Sequence, residues 1–278
     1  MVSNITEDML NVLRCVHVNV PWKLMPQYLP TILELGMNVE IGFEAEELDR
    51  VPRSEFRDVA GELHRRGCGI TFHGPFWDLS TGSVDRFVRH ISRLRIQQAL
   101  DLADVFRPVQ IVCHTGYDPR HHGGQWLSWI ERSMEVWEPL VCQAERLKTP
   151  LLLENVWEKN PDLHWELFRR IDSTHFGFCL DVGHQNSFSE IPLATWVTSL
   201  SDPLREIHIH DNDGSCDAHL PVGKGSINFD GLFSQLNQNG MKPLLTLEPH
   251  REEHLIETLE GLHRLWKARE GDYCKWRS

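Results

Sequence analysis

The sequence predicts an α/β fold in which eight parallel strands close into a (β/α)8 barrel, and three observations predict it. Eight short apolar runs alternate with longer amphipathic stretches along the chain. The runs are bounded by turn signals, as strands buried on both faces of a parallel sheet are. Most of them also stop on a histidine or a carboxylate: GITFH at His73, VQIVCH at His114, LLLE at Glu154, FGFCLD at Asp181 and LLTLE at Glu248, while REIHIH carries His208 and His210. Alternating strands and helices make a parallel sheet, and ionisable strand ends meet at one mouth when that sheet closes. A doubly wound open sheet would not gather so many of them.

Taken in order, strands are expected near 15–20, 37–41, 69–73, 109–114, 151–155, 176–181, 205–210 and 244–248. Between them, PRSEFRDVAGELHRRG, SVDRFVRHISRLRIQQALDLADVF and QWLSWIERSMEVWEPLVCQAERL repeat apolar residues at three-to-four spacing, as helices packed on one face require. Gly36, Gly67 and Gly240 each follow a helical pattern and precede a strand, which suits C-caps. No Pro/Ser/Gly-rich linker divides the chain, so residues 1–278 read as one domain with the barrel at about 13–270.

The composition, 41% hydrophobic and 24% charged, is that of a soluble globular protein. A net charge of −12 disfavours a nucleic-acid partner that needs a broad basic surface. A small phosphate-bearing substrate stays open, because bound metal ions reverse the local field. The seven cysteines form no C-x-x-C pair and several lie inside apolar runs, which points to a reducing cytoplasm rather than a disulfide framework. The N-terminal MVSNITEDMLNVLR has no signal pattern, and no apolar stretch reaches membrane-spanning length. A cytoplasmic enzyme acting on a small molecule, without a membrane partner, is the expectation. Nothing in the sequence fixes an oligomeric state.

Histidine, at sixteen residues, is the compositional outlier. His73 opens HGPFWDLSTGS and His114 opens HTGYDP, each followed by a turn. Asp181 and His184 form D-V-G-H, with Gly183 letting the chain bend so that both side chains reach one cluster. Asp217 and His219 follow strand seven in DNDGSCDAHLPVGKGS, and D-x-H in an extended segment puts both on one side. With Glu154, His208 and Glu248 this makes nine candidate ligands, five imidazoles and four carboxylates. Four carboxylates around one divalent ion leave an anionic site and idle histidines. Around three ions they leave surplus positive charge, which suits a phosphodiester and its transition state.

In order, H-x-x-F, H-T-G, L-E-N, L-D-x-x-H, H-x-x-D, D-x-H-x-x-x-G-x-G and L-E-P resemble the xylose-isomerase-like TIM-barrel superfamily across nearly the whole chain. That superfamily includes endonuclease IV-type apurinic-site nucleases and many sugar or sugar-phosphate isomerases and epimerases. The nuclease branch implies metal ligation by His73, His114, Glu154, Asp181, His184, His208, Asp217, His219 and Glu248, with up to three zinc ions. The isomerase branch implies one Mn2+- or Mg2+-like ion on Glu154, Asp181, His208 and Glu248, the two glutamates doubling as the acid/base pair and His184 touching substrate. HGPFWDLSTGSVD and HIHDNDGSCDAHLPVGKG look closer to a bacterial subgroup that includes cobamide-remodelling phosphodiesterases. No Arg/Lys-rich loop suited to DNA is present, although Phe76 sits where the nucleases carry an aromatic.

The resemblance implies a phosphodiesterase in which Glu154, Glu248 and His184 act in catalysis; the alternatives are an isomerase or epimerase and a non-catalytic metabolite binder. His210 is either the strand-seven ligand, a supporting donor or a substrate contact. Asp211 and Asp213 read as turn residues or supports, Cys216 as loop filler, His121-His122 as a solvated loop or a substrate-touching lid, and His17 and Glu40 as pocket floor or buried polar structure. Among Trp77, Trp126, Trp129, Trp137 and Trp157, most are expected in the core and one could stack on a flat substrate. Lys224 could meet a phosphate.

Overall fold

A computed structural model describes residues 5–268. Its eight strands are β1 (His17–Pro21), β2 (Asn38–Gly42), β3 (Ile70–His73), β4 (Ile111–His114), β5 (Leu151–Glu154), β6 (Phe176–Asp181), β7 (Leu204–Ile209) and β8 (Leu244–Leu247). Each pairs in parallel with the next, and β1 pairs with β8, so the sheet is a closed barrel. All eight lie where the sequence places them, within a few residues at each end. Two ends matter. His210 falls one residue beyond β7 and Glu248 one beyond β8, so both sit on the rim instead of inside a strand.

The expected helices form at Arg53–Arg66, Arg86–Leu100 with a short continuation at Ala103–Phe106, and Trp126–Leu147, the last running through Pro139. Gly36 and Gly67 end their helices in the left-handed region at φ +65° and +78°, where a side chain would be strained. A short helix, Glu7–Leu13, precedes β1 and was not expected. Thr6 caps it, and Met9, Val12 and Leu13 bury its inner face, which offsets its poor length for an isolated helix.

Register sets the site. His114 pairs with Glu154, and Asp181 pairs with His208. These residues therefore stand side by side on adjacent strands, at the C-terminal mouth where (β/α)8 enzymes keep their chemistry. Among the described residues no helix is long and apolar enough to cross a membrane. Against the expectation of a chain without a disulfide framework, Cys15 is disulfide-bonded, whereas Cys68, Cys113, Cys142, Cys179 and Cys216 are free.

Candidate metal centre

Glu154, buried at the end of β5, is the hub. Its Oε2 lies 3.0 Å from His73 Nε2 and 3.3 Å from His114 Nε2, while its Oε1 lies 3.0 Å from His184 Nδ1. The His73 ring is fixed from behind, because its Nδ1–H donates to the Gly74 carbonyl at 2.9 Å. The next residue, Asn155, clamps β5 to β6: its Nδ2 donates to the Asp181 carbonyl at 2.9 Å and its Oδ1 accepts from the Asp181 backbone N–H at 3.0 Å. Glu158 ties down the same turn, accepting from Thr115 Oγ1 at 2.5 Å and from the Val156 N–H at 2.7 Å. The L-E-N and W-E letters thus lock two loops of the mouth together.

Asp181 caps the helix Val182–Phe188, accepting from the His184 N–H at 2.6 Å. This brings His184 over the mouth, with Nδ1 donating to the Asn155 carbonyl at 3.1 Å and Nε2 3.3 Å from Asp217 Oδ2. Gly183 has a different role from the one its sequence suggests. It is helical, and a Cβ there would stand 1.9 Å from the His210 ring. The residue is small because His210 occupies its side-chain space.

The two histidines of β7 divide the work. His208 Nδ1 faces three carboxylates, Glu248 at 3.3 Å, Glu154 at 3.7 Å and Asp181 at 3.9 Å, and its Nε2 faces Glu40 at 3.4 Å. His210 Nε2 instead bonds both oxygens of Asp181, at 3.1 and 3.0 Å. Glu40 accepts from Asn19 Nδ2 at 2.9 Å. It is therefore placed beside the outer nitrogen of His208, where it can support a metal-binding imidazole or share an ion with it.

Asp217 and His219 come from the loop after β7, closed by paired backbone hydrogen bonds between Asp211 and Leu220. They share a side, as D-x-H predicts, but not through an extended backbone: His219 has φ +45°. His219 Nδ1–H donates to the Glu248 carbonyl at 3.0 Å, and its Nε2 lies 3.1 Å from Asp217 Oδ2. Asp211 accepts from the backbone N–H groups of Gly223, Gly225 and Ile227, so it organises the V-G-K-G turn. That turn sends Lys224 outward to Glu257 at 3.5 Å, away from any phosphate in the mouth.

His73, His184 and His219 share one property. In each, Nδ1 is committed as a donor to a backbone carbonyl, so Nε2 of the neutral ring presents a lone pair to a carboxylate oxygen. Two lone pairs at that distance repel unless a cation stands between them. In the metal-free chain the cation is a proton. Burial lowers the His73 and His219 imidazoles, yet Glu154 beside the first and Asp217 beside the second overcome this and raise both to about 9. Burial likewise opposes the charged form of Asp181, but the His184 and His210 rings hold it down at about 2. A divalent ion can replace those protons. Two ligand atoms about 2.0–2.1 Å from a tetrahedral ion stand roughly 3.3–3.4 Å apart, and His114–Glu154, His184–Asp217 and His208–Glu248 are each at 3.3 Å. Both ring nitrogens of His208, Nδ1 of His210 and Oδ1 of Asp217 are buried without a hydrogen-bond partner. The donor set fits metal ions.

Among the described residues, four groups could hold one: His73 with His114 and Glu154; Glu154 with Asp181 and His208; Glu40 with His208 and Glu248; and His210 with His219 and Glu248. With His184 beside Glu154 and Asp217, all nine predicted residues are brought to one mouth. The last group brings in His210, which stands outside the nine residues. The rings of His210 and of His250, a residue not singled out from the sequence, sandwich His219 at 3.7 and 3.6 Å between centroids. The second letter of H-I-H and the P-H after Glu248 were the available signals. Of the tryptophans, Trp129 and Trp137 are core, while Trp77 and Trp157 reach the mouth. His121 and His122 line it too, with His121 largely exposed to solvent.

The family model of the xylose isomerase-like TIM barrel matches residues 37–268. The chain belongs to this family. An uncharacterized protein of Methanocaldococcus jannaschii is 28% identical over 202 residues, covering 69% of this chain and 68% of that one. A D-tagatose 3-epimerase-like protein of known structure has a TM-score of 0.81 at 23% identity, covering 92% of this chain and 98% of its own. A Thermus thermophilus protein, its crystals soaked with zinc chloride, has a TM-score of 0.73 at 25% identity, covering 92% and 99%. A 3-keto-D-glucoside 4-epimerase from E. coli has 0.71 at 18%, covering 90% and 98%. These solved structures share the barrel fold with this chain.

Proposed function

We propose that this xylose isomerase-like chain is a metal-dependent phosphodiester hydrolase, holding up to three divalent ions and acting on a small or nucleotide-like diester such as a cobamide nucleotide loop. The observation that carries the reading is the set of imidazole lone pairs aimed at Glu154 and Asp217, which one ion cannot serve. His73, His114 and Glu154 would hold one ion, Glu154, Asp181, His208 and Glu248 a second, and His219 with Asp217, His184 or His210 a third. Zinc suits this mixture of imidazole and carboxylate. Bound ions supply water activation and a positive field for the diester. Glu248 stands at the rim between His208 and His210, 3.3 and 3.8 Å away, where its carboxylate can orient the attacking water and accept its proton. His184 stands between Glu154 and Asp217, where it can position the diester. The acidic chain suits a small-molecule substrate better than nucleic acid, and a cytoplasmic location remains part of the same proposal.

A second reading has its own support. Glu154, Asp181, His208 and Glu248 suffice for a single Mn2+- or Mg2+-like ion, and the solved proteins with this barrel include several named as sugar epimerases. Glu154 and Glu248 would then exchange a proton on opposite faces of an enediol. Elemental analysis of protein purified without chelator separates the two. About three ions per chain, zinc prominent, is expected from one ion per ligand group. One manganese- or magnesium-like ion, with epimerisation of a ketose that survives His219→Ala, would overturn the hydrolase.

A further inference from the structure

The loops that follow β3, β4 and β5 build a second chamber beside the ligand cluster. The chamber over the cluster has a volume of about 450 Å³, and the second one about 530 Å³. Phe76, Trp77, His114 and His184 line both and form the common wall. Either volume is by itself that of a small-ligand pocket, roughly 300–1,000 Å³. A substrate confined to the ligand cluster leaves the second chamber unused.

The second chamber is aromatic and nearly self-neutralised. Phe76, Trp77, Tyr117, His122 and Trp157 are among its walls. Its Asp118 is bound by Arg120 at 2.8 Å and by His121 at 3.1 Å, and the Arg120 guanidinium lies over the Trp157 ring at 4.4 Å. Burial pushes the His122 imidazole down, toward its neutral form. An anionic group therefore finds the Arg120 guanidinium already committed to Asp118. A flat uncharged group finds ring faces.

Trp77 is the exposed member, with 69% of its surface open. It is nevertheless held. Its ring packs on Phe76 at 5.0 Å between centroids, and Phe76 stacks on His114 at 4.3 Å and 27°. A file of rings thus leads from a candidate metal ligand to the rim of the second chamber. Asp78, at φ +60°, turns the chain directly after Trp77. Gly116, whose Cβ would stand 2.6 Å from the Leu79 carbonyl, lets the loop after β4 pack against this turn. A pre-positioned ring with one open face is what stacking recognition uses.

We propose that the second chamber receives a planar, uncharged heteroaromatic group, with Trp77 as its stacking platform, on a two-part substrate whose diester lies over the ligand cluster. The diester half rests on the hydrolase reading; the ring half does not. Two measurements on the metal-loaded protein test them apart. In the first, adenosine is titrated against the chain and its Trp77→Ala variant, with ribose as the ring-free control and melting temperature as the check on folding. Saturable adenosine binding, no ribose binding and an affinity about tenfold weaker in the variant are expected, the size of one base–aromatic stack. Absent binding, or equal binding by a folded variant, overturns the chamber assignment. In the second, p-nitrophenolate release is compared between adenosine 5′-(p-nitrophenyl phosphate) and methyl p-nitrophenyl phosphate, which share a leaving group. A preference for the nucleoside ester that falls about tenfold in the variant is expected. Equal kcat/KM for both esters overturns the chamber and leaves the hydrolase standing. Cleavage of neither, with adenosine still bound through Trp77, sinks the hydrolase and leaves the chamber.

Discussion

Two layers of buried carboxylates lie in this barrel, Glu154 and Asp181 at the mouth ends of β5 and β6 and Glu206 two residues before His208 on β7, and they are held in opposite charge states. At the mouth, Glu154 and Asp181 face imidazoles, and those rings hold both below the ordinary carboxylate range against the cost of burial. Deeper in, Glu206 on β7 meets an amide and a hydroxyl: Gln110 Nε2 donates to it at 2.6 Å, and Thr246 Oγ1 donates to its other oxygen. There burial prevails, aided by the nearby charge of Glu40, and the Glu206 carboxyl is pushed up to about 8. All three are carboxyls and all three are buried, so the partner decides the charge. The deep layer is satisfied by the chain itself. The mouth layer is complete only with cations, protons in the metal-free chain and metal ions under the proposed function.

The sharpest way to break this contrast is Glu154→Ala. It removes the one carboxylate that His73, His114, His184 and His208 all face. We expect at least one ion per chain to be lost and diesterase kcat/KM to fall about a thousandfold or more, the scale of losing a major electrostatic contributor to the transition state. Elemental analysis and turnover on a p-nitrophenyl diester check it. Unchanged metal content would mean that the mouth is as self-contained as the deep layer.

His210→Ala sharpens the contrast at the next level, because this ring holds Asp181 without belonging to the expected ligand set. Losing such a support lowers metal affinity about 10–100-fold. A titration against a competing chelator reads the shift directly. An undiminished affinity would return His210 to the role of pocket wall.

The sequence made the barrel and the nine-residue mouth legible for a physical reason: strand ends are short apolar runs stopped by a polar letter, and closure carries them all to one place. What stayed hidden depends on side chains from distant segments meeting. Glu40 reads as an acid inside a strand until His208 Nε2 is found 3.4 Å away. Gly183 reads as a bend until the His210 ring is found in its side-chain space. Lys224, suggestive in a glycine-rich turn, is turned outward by hydrogen bonds from that turn to Asp211. The helix Glu7–Leu13 is too short for periodicity to reveal, and only packing stabilises it.

The smallest effect expected is in the deep layer, with Glu206→Gln. An unfolded glutamate ionises near 4.5, whereas the folded chain keeps Glu206 protonated up to about 8. Between those values the folded state binds the extra proton, so the stability this neutral carboxyl contributes is whole below 4.5 and is lost as pH rises toward about 8. Glutamine keeps the shape and the neutral state at every pH. Urea midpoints of the metal-free proteins should therefore coincide near pH 4.5, and near pH 8 the variant should be the more stable. Bound ions at the mouth bring positive charge close to Glu206 and ease its ionisation, so loading the protein with zinc should narrow the gap. A parent chain that loses nothing relative to the variant across this window would show that Glu206 ionises freely, and the two layers would then differ in position only.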